Sequence, residues 1–351
     1  MARIDDDLAF MLKFENVAWY ENGEVKILDR RIYPREIKFV TCKSYKEVSK
    51  AIKDMVTQSA GPYTACGMGM ALACYECREF DKNAKISFLR KAADSLSNSR
   101  PTTKDRMQQV TSGCMKIIEE NIDKNNLDLI LADYTVKVME NRYKRIGKVA
   151  KYLVDMFPKN GKILTQCYGE TIIGMMLKEC RKRKKKIELF CAETRPFLQG
   201  ARFTASVAKD MGFKVTVITD NMVAATIVNK KIDLFTSAAD SITKDGYIVN
   251  KVGTFQMAIL CNYLKIPYFV TGIPDNVESV KDIKIEERNP EETLMANGIK
   301  NTLNGVEGYY PAFDITPPHL VNGVVTDIGI FSAYDLNNYN NNQNEFYSFC
   351  V

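Results

Sequence analysis

The chain has 351 residues, 46% of them hydrophobic and 26% charged, a balance that suits a globular protein large enough for two domains. No unbroken apolar run reaches the ~18 residues of a membrane span, so no membrane partner is expected. The net charge of +6 is modest. Its densest source, Arg181-Lys182-Arg183-Lys184-Lys185-Lys186, lacks interleaved aromatic residues and reads as the cationic end of a helix, so no nucleic-acid partner is expected either.

The opening MARIDDDLAFMLKF is acidic and has no signal-peptide flanks, so a cytoplasmic protein is expected. Val17 to Leu28 reads as a hairpin turning at Glu21-Asn22-Gly23-Glu24, and 37–40 as a third strand. Ser44 begins a helix with Val48, Ile52, Met55 and Val56 on one face. From Gly67 to about Lys144 the spacing is helical, with breaks near 98–101 and 123–126. After Asn160-Gly161 the pattern changes to strands at 162–167, 187–191, 214–219, 232–236 and 267–272. Helices fall between them at 170–183, around 201–211, from Met222, and from Lys251 to Leu264. Gly323-Val324-Val325-Thr326 is a last short strand. The fold class is therefore α/β: a small N-terminal β-element with a helical lobe (1–150), then a doubly wound, Rossmann-like parallel-sheet domain (151–336). The Asn-rich tail (337–351) is expected to fray.

The ten cysteines sit in apolar stretches such as Ala73-Cys74 and Leu260-Cys261, and read as buried free thiols of a reducing compartment. Cys74-Tyr75-Glu76-Cys77 is a lone CxxC and His319 is the one histidine, so no metal is expected. Gly67-Met68-Gly69 reads as helix packing, and without a dinucleotide or Walker motif no cofactor is expected.

Ligands of open parallel sheets sit beyond the carboxyl ends of the strands. Those ends are Cys167, Glu193-Thr194-Arg195, Asp220-Asn221 and Ser237 to Asp240. Cys167 precedes Gly169 at a helix start, where backbone N–H groups favour a thiolate and a lowered pKa. Asp240 follows a strand, and Asn250-Lys251 opens the next helix. A carboxylate, a lysine and a helix N-terminus together suit an anionic, oxygen-rich ligand such as a sugar phosphate. The plainer readings of the same residues are a buried inert cysteine and a helix cap.

At these residues the sequence resembles the methylthioribose-1-phosphate isomerase family, which shares its fold with ribose-1,5-bisphosphate isomerases and with regulatory subunits of a translation-initiation guanine-nucleotide exchange factor. The likeness runs from Trp19 to about Tyr334. Its most specific stretch is Glu193-Thr194-Arg195-Pro196-Phe197-Leu198-Gln199-Gly200-Ala201-Arg202, close to the family's ETRP-x-x-QGAR-x-TA. Ile218-Thr219-Asp220-Asn221-Met222, Asn250-Lys251-Val252-Gly253-Thr254, Ile285-Glu286-Glu287-Arg288 and Pro311-Ala312-Phe313-Asp314-Ile315-Thr316-Pro317 also match.

The resemblance implies an intramolecular oxidoreductase that opens a sugar 1-phosphate ring and moves the carbonyl from C1 to C2 without metal or cofactor. It places Cys167 and Asp240 on the catalytic cysteine and aspartate. Asp240, kept protonated by an apolar surround, is expected to protonate the ring oxygen, and Cys167 to take the C2 proton or guide a hydride shift. Arg100, Gln199, Asn250 and Lys251 fall on substrate contacts, as do Ser59, Ala60 and Gly61. The family also implies a homodimer through the second domain.

Three departures stand out. The RGAP-x-xG phosphate loop is Gln58-Ser59-Ala60-Gly61-Pro62-Tyr63-Thr64 here, without its arginine, a loss of about 1.5–3 kcal/mol of phosphate binding. THCNTG is Thr165-Gln166-Cys167-Tyr168-Gly169-Glu170, and GADRI is Ala238-Ala239-Asp240-Ser241-Ile242. Three readings follow: isomerisation of 5-methylthioribose 1-phosphate in methionine salvage, isomerisation of a deoxypentose 1-phosphate or ribose 1,5-bisphosphate, or a non-catalytic sugar-phosphate or nucleotide sensor of the exchange-factor type.

Overall fold

Asn22 and Gly23, both at positive φ (51° and 76°), form the two-residue turn that matches the twist of paired strands. They join β1 (Ala18–Glu21) to β2 (Glu24–Leu28), and β3 (Phe39–Cys42) adds to β2, all antiparallel. A single turn, α1 (Phe14–Val17), precedes them. The computed structural model describes residues 3–100, 104–275, 277–296 and 298–339. The chain divides into two units, Met1–Arg145 and Ile146–Asn341.

In the first unit, α2 (Tyr45–Lys53), α3 (Gly61–Glu76), α4 (Lys82–Ser97) and α5 (Lys104–Asn121) follow the small sheet, and α6 (Leu127–Asp155) begins there and ends beyond the boundary at Arg145. Every residue of α3 from Gly61 to Cys74 is buried, so its neighbours surround it. Gly67 and Gly69 serve that packing: a Cβ on Gly67 would meet Thr135 of α6 at 2.7 Å, and one on Gly69 would meet Leu96 and Val48 at 3.0 Å. The continuous helical pattern from Gly67 hides one further break, between α3 and α4.

The second unit alternates β4 (Lys162–Thr165), α7 (Glu170–Lys182), β5 (Glu188–Ala192), a π turn (Gly200–Thr204) running into α8 (Ala205–Asp210), β6 (Lys214–Ile218), α9 (Val223–Lys230) and β7 (Leu234–Ala238). Then come β8 (Ser241–Ile242), β9 (Ile248–Lys251), α10 (Thr254–Tyr263) and β10 (Tyr268–Thr271). The two-residue strands β11 (Met295–Ala296) and β12 (Ile299–Lys300) pair with each other, and β13 (Phe313–Thr316), β14 (Gly323–Val325) and β15 (Ile330–Phe331) complete the chain. The main sheet has the order β15-β14-β10-β7-β4-β5-β6, parallel except for β15. From β4 the chain builds outward to β5 and β6, then returns to the other side of β4 with β7. That reversal is where such sheets open a ligand crevice. Leu164, Phe190, Phe235, Val270 and Val324 belong to the core cluster of this unit.

The basic run ends α7, as its composition suggests. Arg183 pairs with Glu179 at 2.6 Å and with Asp155, and Lys185 Nζ donates to the carbonyls of Val154 and Phe157 at 2.6 and 2.5 Å. No helix among the described residues is long and apolar enough to cross a membrane.

Two expectations are corrected. Asn250 and Lys251 do not open a helix. They end β9, the middle strand of a small antiparallel sheet (β13-β9-β8), and α10 begins only at Thr254, after Gly253 at φ 102°. The segment from Asn337 is not wholly unpacked: Tyr339 is buried, its hydroxyl donates to Asp327 at 2.9 Å, and its ring meets Phe331 edge-on. The rest of that tail, from 340, lies outside the described residues.

Gly200 marks where the helix after β5 lies directly on the strand. A Cβ there would stand 1.8 Å from the carbonyl oxygen of Ala192, a backbone atom with no room to yield. Gly200→Ala is therefore expected to destabilise the protein by about 1–3 kcal/mol, read as a fall in the urea unfolding midpoint. An unchanged midpoint would contradict this packing.

Candidate active site

The tips of β4 and β7 lie side by side because the strands pair in register, Thr165 opposite Thr236. Past those tips Gly169 lets the chains close up: a Cβ on it would stand 2.8 Å from the Cβ of Ala238. Cys167, two residues beyond β4, and Asp240, two beyond β7, are thereby brought to the same crevice. Asp240 is close enough for its charge to act on the Cys167 thiol.

Cys167 adopts a left-handed backbone conformation, φ 59°, unusual for a residue with a side chain. Two threonines hold it there. Its N–H donates to Thr194 Oγ1 at 3.1 Å, and Thr204 Oγ1 donates to its carbonyl at 2.5 Å. Thr194, at φ 66°, is fixed in turn because its N–H and that of Arg195 donate to the two carboxylate oxygens of Asp220, at 2.9 and 2.7 Å. Gln166 spans the crevice floor from the other side. Its Nε2 donates to the carbonyl of Val252 at 3.0 Å, and its Oε1 lies 3.2 Å from Thr194 Oγ1.

Nine cysteines are described. All are free and eight are buried, and Cys167 alone is partly exposed. The thiolate expected of it does not form. Although part of the residue is open, protein crowds the sulfur. Burial pushes the thiol up to about 11, Lys251 pulls it down, Asp240 pushes it up, and the Tyr168 amide and Arg288 pull it down. The start of α7 supplies too little to offset desolvation. Asp240 departs from expectation as well: it is exposed, so no apolar surround encloses it here.

Lys251 and Asn250 are buried on β9, facing β13 in the register Lys251–Phe313 and Asn250–Asp314. Lys251 Nζ donates to the carbonyl of Ala312 at 2.7 Å and sits 4.5 Å from the Phe313 ring centroid. Asn250 Nδ2 donates to Thr254 Oγ1 at 2.9 Å. The N-terminus of α10, expected to meet an anionic ligand, is already filled. Asp314 accepts from the N–H of Gly253 at 2.6 Å and of Phe255 at 3.1 Å, and burial pushes its carboxyl up to about 6 despite these bonds and the nearby Lys251. Gln199 is buried in the turn before Gly200, with its Oε1 unbonded. Arg288 and Tyr310 are further members of this neighbourhood: both act electrostatically on or from Cys167, and Arg288 Nε donates to Glu286 at 2.9 Å.

The structure thus gathers Cys167 and Asp240 with Lys251 in the second unit, which also holds Asn250 and Gln199. Arg100, half-buried after α4, and the loop Ser59-Ala60-Gly61 belong to the first unit. Thr194 and Asp220 stand at strand ends in the sequence reading and Thr204 falls on the family's ETRP-x-x-QGAR-x-TA, but neither they nor Arg288, Tyr310 and Asp314 are given an individual role there.

The Initiation factor 2 subunit family matches residues 67–333. Methylthioribose-1-phosphate isomerases of Desulforamulus reducens and a Thermoanaerobacter species are each 32% identical to the chain, over 90% and 89% of it and 95% and 94% of their own lengths. The chain belongs to the methylthioribose-1-phosphate isomerase family. A solved family member, the 5-methylthioribose 1-phosphate isomerase of Pyrococcus horikoshii OT3, is 28% identical with a TM-score of 0.80, covering 94% of this chain and 97% of that one. The translation initiation factor eIF-2B subunit delta of A. fulgidus shares the family's fold at a TM-score of 0.78 and 26% identity, over 90% and 96% of the two chains.

A thiol held near 11 has a chemical signature. In the ligand-free protein the alkylation rate of Cys167 by iodoacetamide, followed by peptide mass spectrometry, is expected to climb about tenfold per pH unit from 7 to 9.5 without levelling. A plateau near pH 8 would contradict it.

Proposed function

We propose that this chain is an aldose–ketose isomerase that converts 5-methylthioribose 1-phosphate to 5-methylthioribulose 1-phosphate in methionine salvage. The observation that carries the reading is the meeting of Cys167 and Asp240 at the β4–β7 crevice beside Lys251, in a chain whose relatives are isomerases along nearly its whole length.

A phosphate on the anomeric oxygen blocks simple opening to an aldehyde, so the ring oxygen must take a proton before its bond to C1 breaks. Asp240 is the acid of this reading. A sugar seated over its exposed carboxyl would desolvate it, and desolvation favours the protonated form. Hydrogen then moves from C2 to C1, the 2-hydroxyl gives its proton back to the Asp240 carboxylate, and a ketone remains at C2 with the phosphate ester on C1. Removal of the C2 hydrogen as a proton would require Cys167 to lose its own proton first. The raised thiol pKa therefore supports a 1,2-hydride shift, for which a neutral sulfur and a water-poor wall over C1 and C2 suffice. Lys251, a buried cation, suits the phosphate end.

The test is a panel of pentose 1-phosphates incubated with purified protein in D2O and followed by NMR. Conversion of the methylthio sugar with no deuterium at C1, abolished in Cys167→Ser and Asp240→Asn, is the expected result. Deuterium at C1 would replace the hydride shift with proton transfer. Turnover of a different pentose phosphate would correct the substrate, and unaltered turnover in both variants would refute the two roles.

We also propose a cytoplasmic homodimer formed through the second unit. Free thiols suit a reducing compartment. The exposed apolar side chains of Val217 on β6, Val228 on α9, and Ile259 and Tyr263 on α10 (45–79% accessible) suit a covered face. Light scattering at micromolar concentration is expected to give twice the chain mass, and a monomer would overturn the assembly.

A further inference from the structure

Gln166 joins the loop that carries the sulfur to the turn that follows the lysine. It directly precedes Cys167, is 3% exposed, and has both ends of its amide bonded. Its Oε1 accepts from Thr194 Oγ1 at 3.2 Å, and that same hydroxyl accepts from the Cys167 N–H at 3.1 Å. Its Nε2 donates to the carbonyl of Val252 at 3.0 Å, in the turn between β9 and α10. Val252 is held on its other side as well, because its N–H donates to the carbonyl of Ala312 at 3.2 Å. Lys251 Nζ donates to that same carbonyl at 2.7 Å.

These bonds form one unbroken path from the Cys167 N–H through the Thr194 hydroxyl, the Gln166 amide, the Val252 peptide groups and the Ala312 carbonyl to the Lys251 ammonium. Every residue on it belongs to the second unit. The middle of the path needs a side chain of one polarity. The Val252 carbonyl requires a donor, while the Thr194 hydroxyl has a proton to give, either to Gln166 or to the carbonyl of Ala192 at 3.1 Å. The amide supplies one donor and one acceptor on adjacent atoms. Gly253, at φ 102°, leaves the space for it, since a Cβ there would stand 2.9 Å from Gln166 Nε2.

We propose that Gln166 is a positioning residue of the isomerisation, the brace that fixes Lys251 and Cys167 relative to each other across the crevice. The inference rests on the isomerase reading above and adds to it a residue that acts through others. A sugar held on the Lys251 side must present C1 and C2 to the sulfur. Slack between the two sides misplaces the reacting carbons while most binding contacts persist, and a misplacement of about 1 Å costs up to about 100-fold in rate.

Two variants test this, with melting curves to verify folding. Gln166→Met keeps the length and loses both bonds, so kcat is expected to fall about 10- to 100-fold while KM for 5-methylthioribose 1-phosphate stays within about threefold. Gln166→Glu isolates the donor. Ionised, its carboxylate only accepts; protonated, it has one donor and one acceptor as the amide does, and burial favours that form. Its kcat relative to the unaltered protein is therefore expected to rise as pH falls from about 8 to about 5.5, while the ratio for Gln166→Met stays flat. A readout without substrate is amide hydrogen exchange in the ligand-free protein, followed by mass spectrometry. In Gln166→Met the segments holding Cys167 and Val252 are expected to exchange faster together, by about tenfold. Unchanged kcat in folded Gln166→Met, a ratio for Gln166→Glu that does not rise at low pH, or faster exchange at Cys167 without Val252 overturns the brace. Joint loosening of both segments in a protein that turns over no sugar phosphate would instead sink the isomerase reading and leave the brace standing.

Discussion

The pairing of β4 with β7 is the constraint on which the rest of the candidate site depends. These strands are far apart in the chain, yet the sheet order makes them neighbours at the one place where crossovers change direction. Parallel pairing puts both carboxyl ends on the same edge, so whatever follows each strand must share that edge. Gly169 tightens the arrangement by admitting Ala238 at a distance no Cβ would allow. A thiol and a carboxylate meet there as a consequence of topology, before any side-chain preference is considered.

Around that meeting point the fold spends backbone strain and burial to hold groups still. Cys167 and Thr194 both occupy the left-handed region, which costs of order 1–3 kcal/mol at each residue. The hydrogen bonds from Thr204 and to Asp220 keep them there. The electrostatic result is a neutral sulfur among charges of both signs. Desolvation outweighs the pull of Lys251 and Arg288, and the charge of Asp240 works in the same direction as burial. A thiol of that kind is a wall or a hydrogen-bonding surface until its surroundings change, and a poor nucleophile.

Much of this was legible in the amino-acid order. The runs at 162–167, 187–191, 214–219, 232–236 and 267–272 are short, apolar and spaced by helical segments, and each became a parallel strand, so the strand ends could be named in advance. The small sheet β13-β9-β8 was not legible. Ile248 to Lys251 is four residues long, its partner lies some sixty positions later among loops, and Asn250-Lys251 resembles a helix start in isolation. The thiol pKa was misjudged for a related reason. A helix start is visible in sequence, whereas the packing that desolvates a sulfur depends on residues as distant as Arg288 and Tyr310. Asp220 and Thr204 lie within motifs, but their roles are not visible there because they act on backbone atoms of other loops.

The helix N-termini show how such non-local contacts reassign roles. Both α10 and α3 begin next to segments that the sequence reading linked to an anionic ligand. At α10 the chain supplies its own anion: Asp314, sixty residues downstream, takes the N–H groups of Gly253 and Phe255. Its carboxyl, raised to about 6, shows that burial there outweighs those bonds. A ligand phosphate would have to displace it. At α3 no side chain caps the helix, and beneath the preceding loop two guanidinium nitrogens of Arg142 stay unbonded. A helix end that the fold has filled and one that it has left open look alike in sequence. The difference lies in where a carboxylate or an arginine from another element comes to rest.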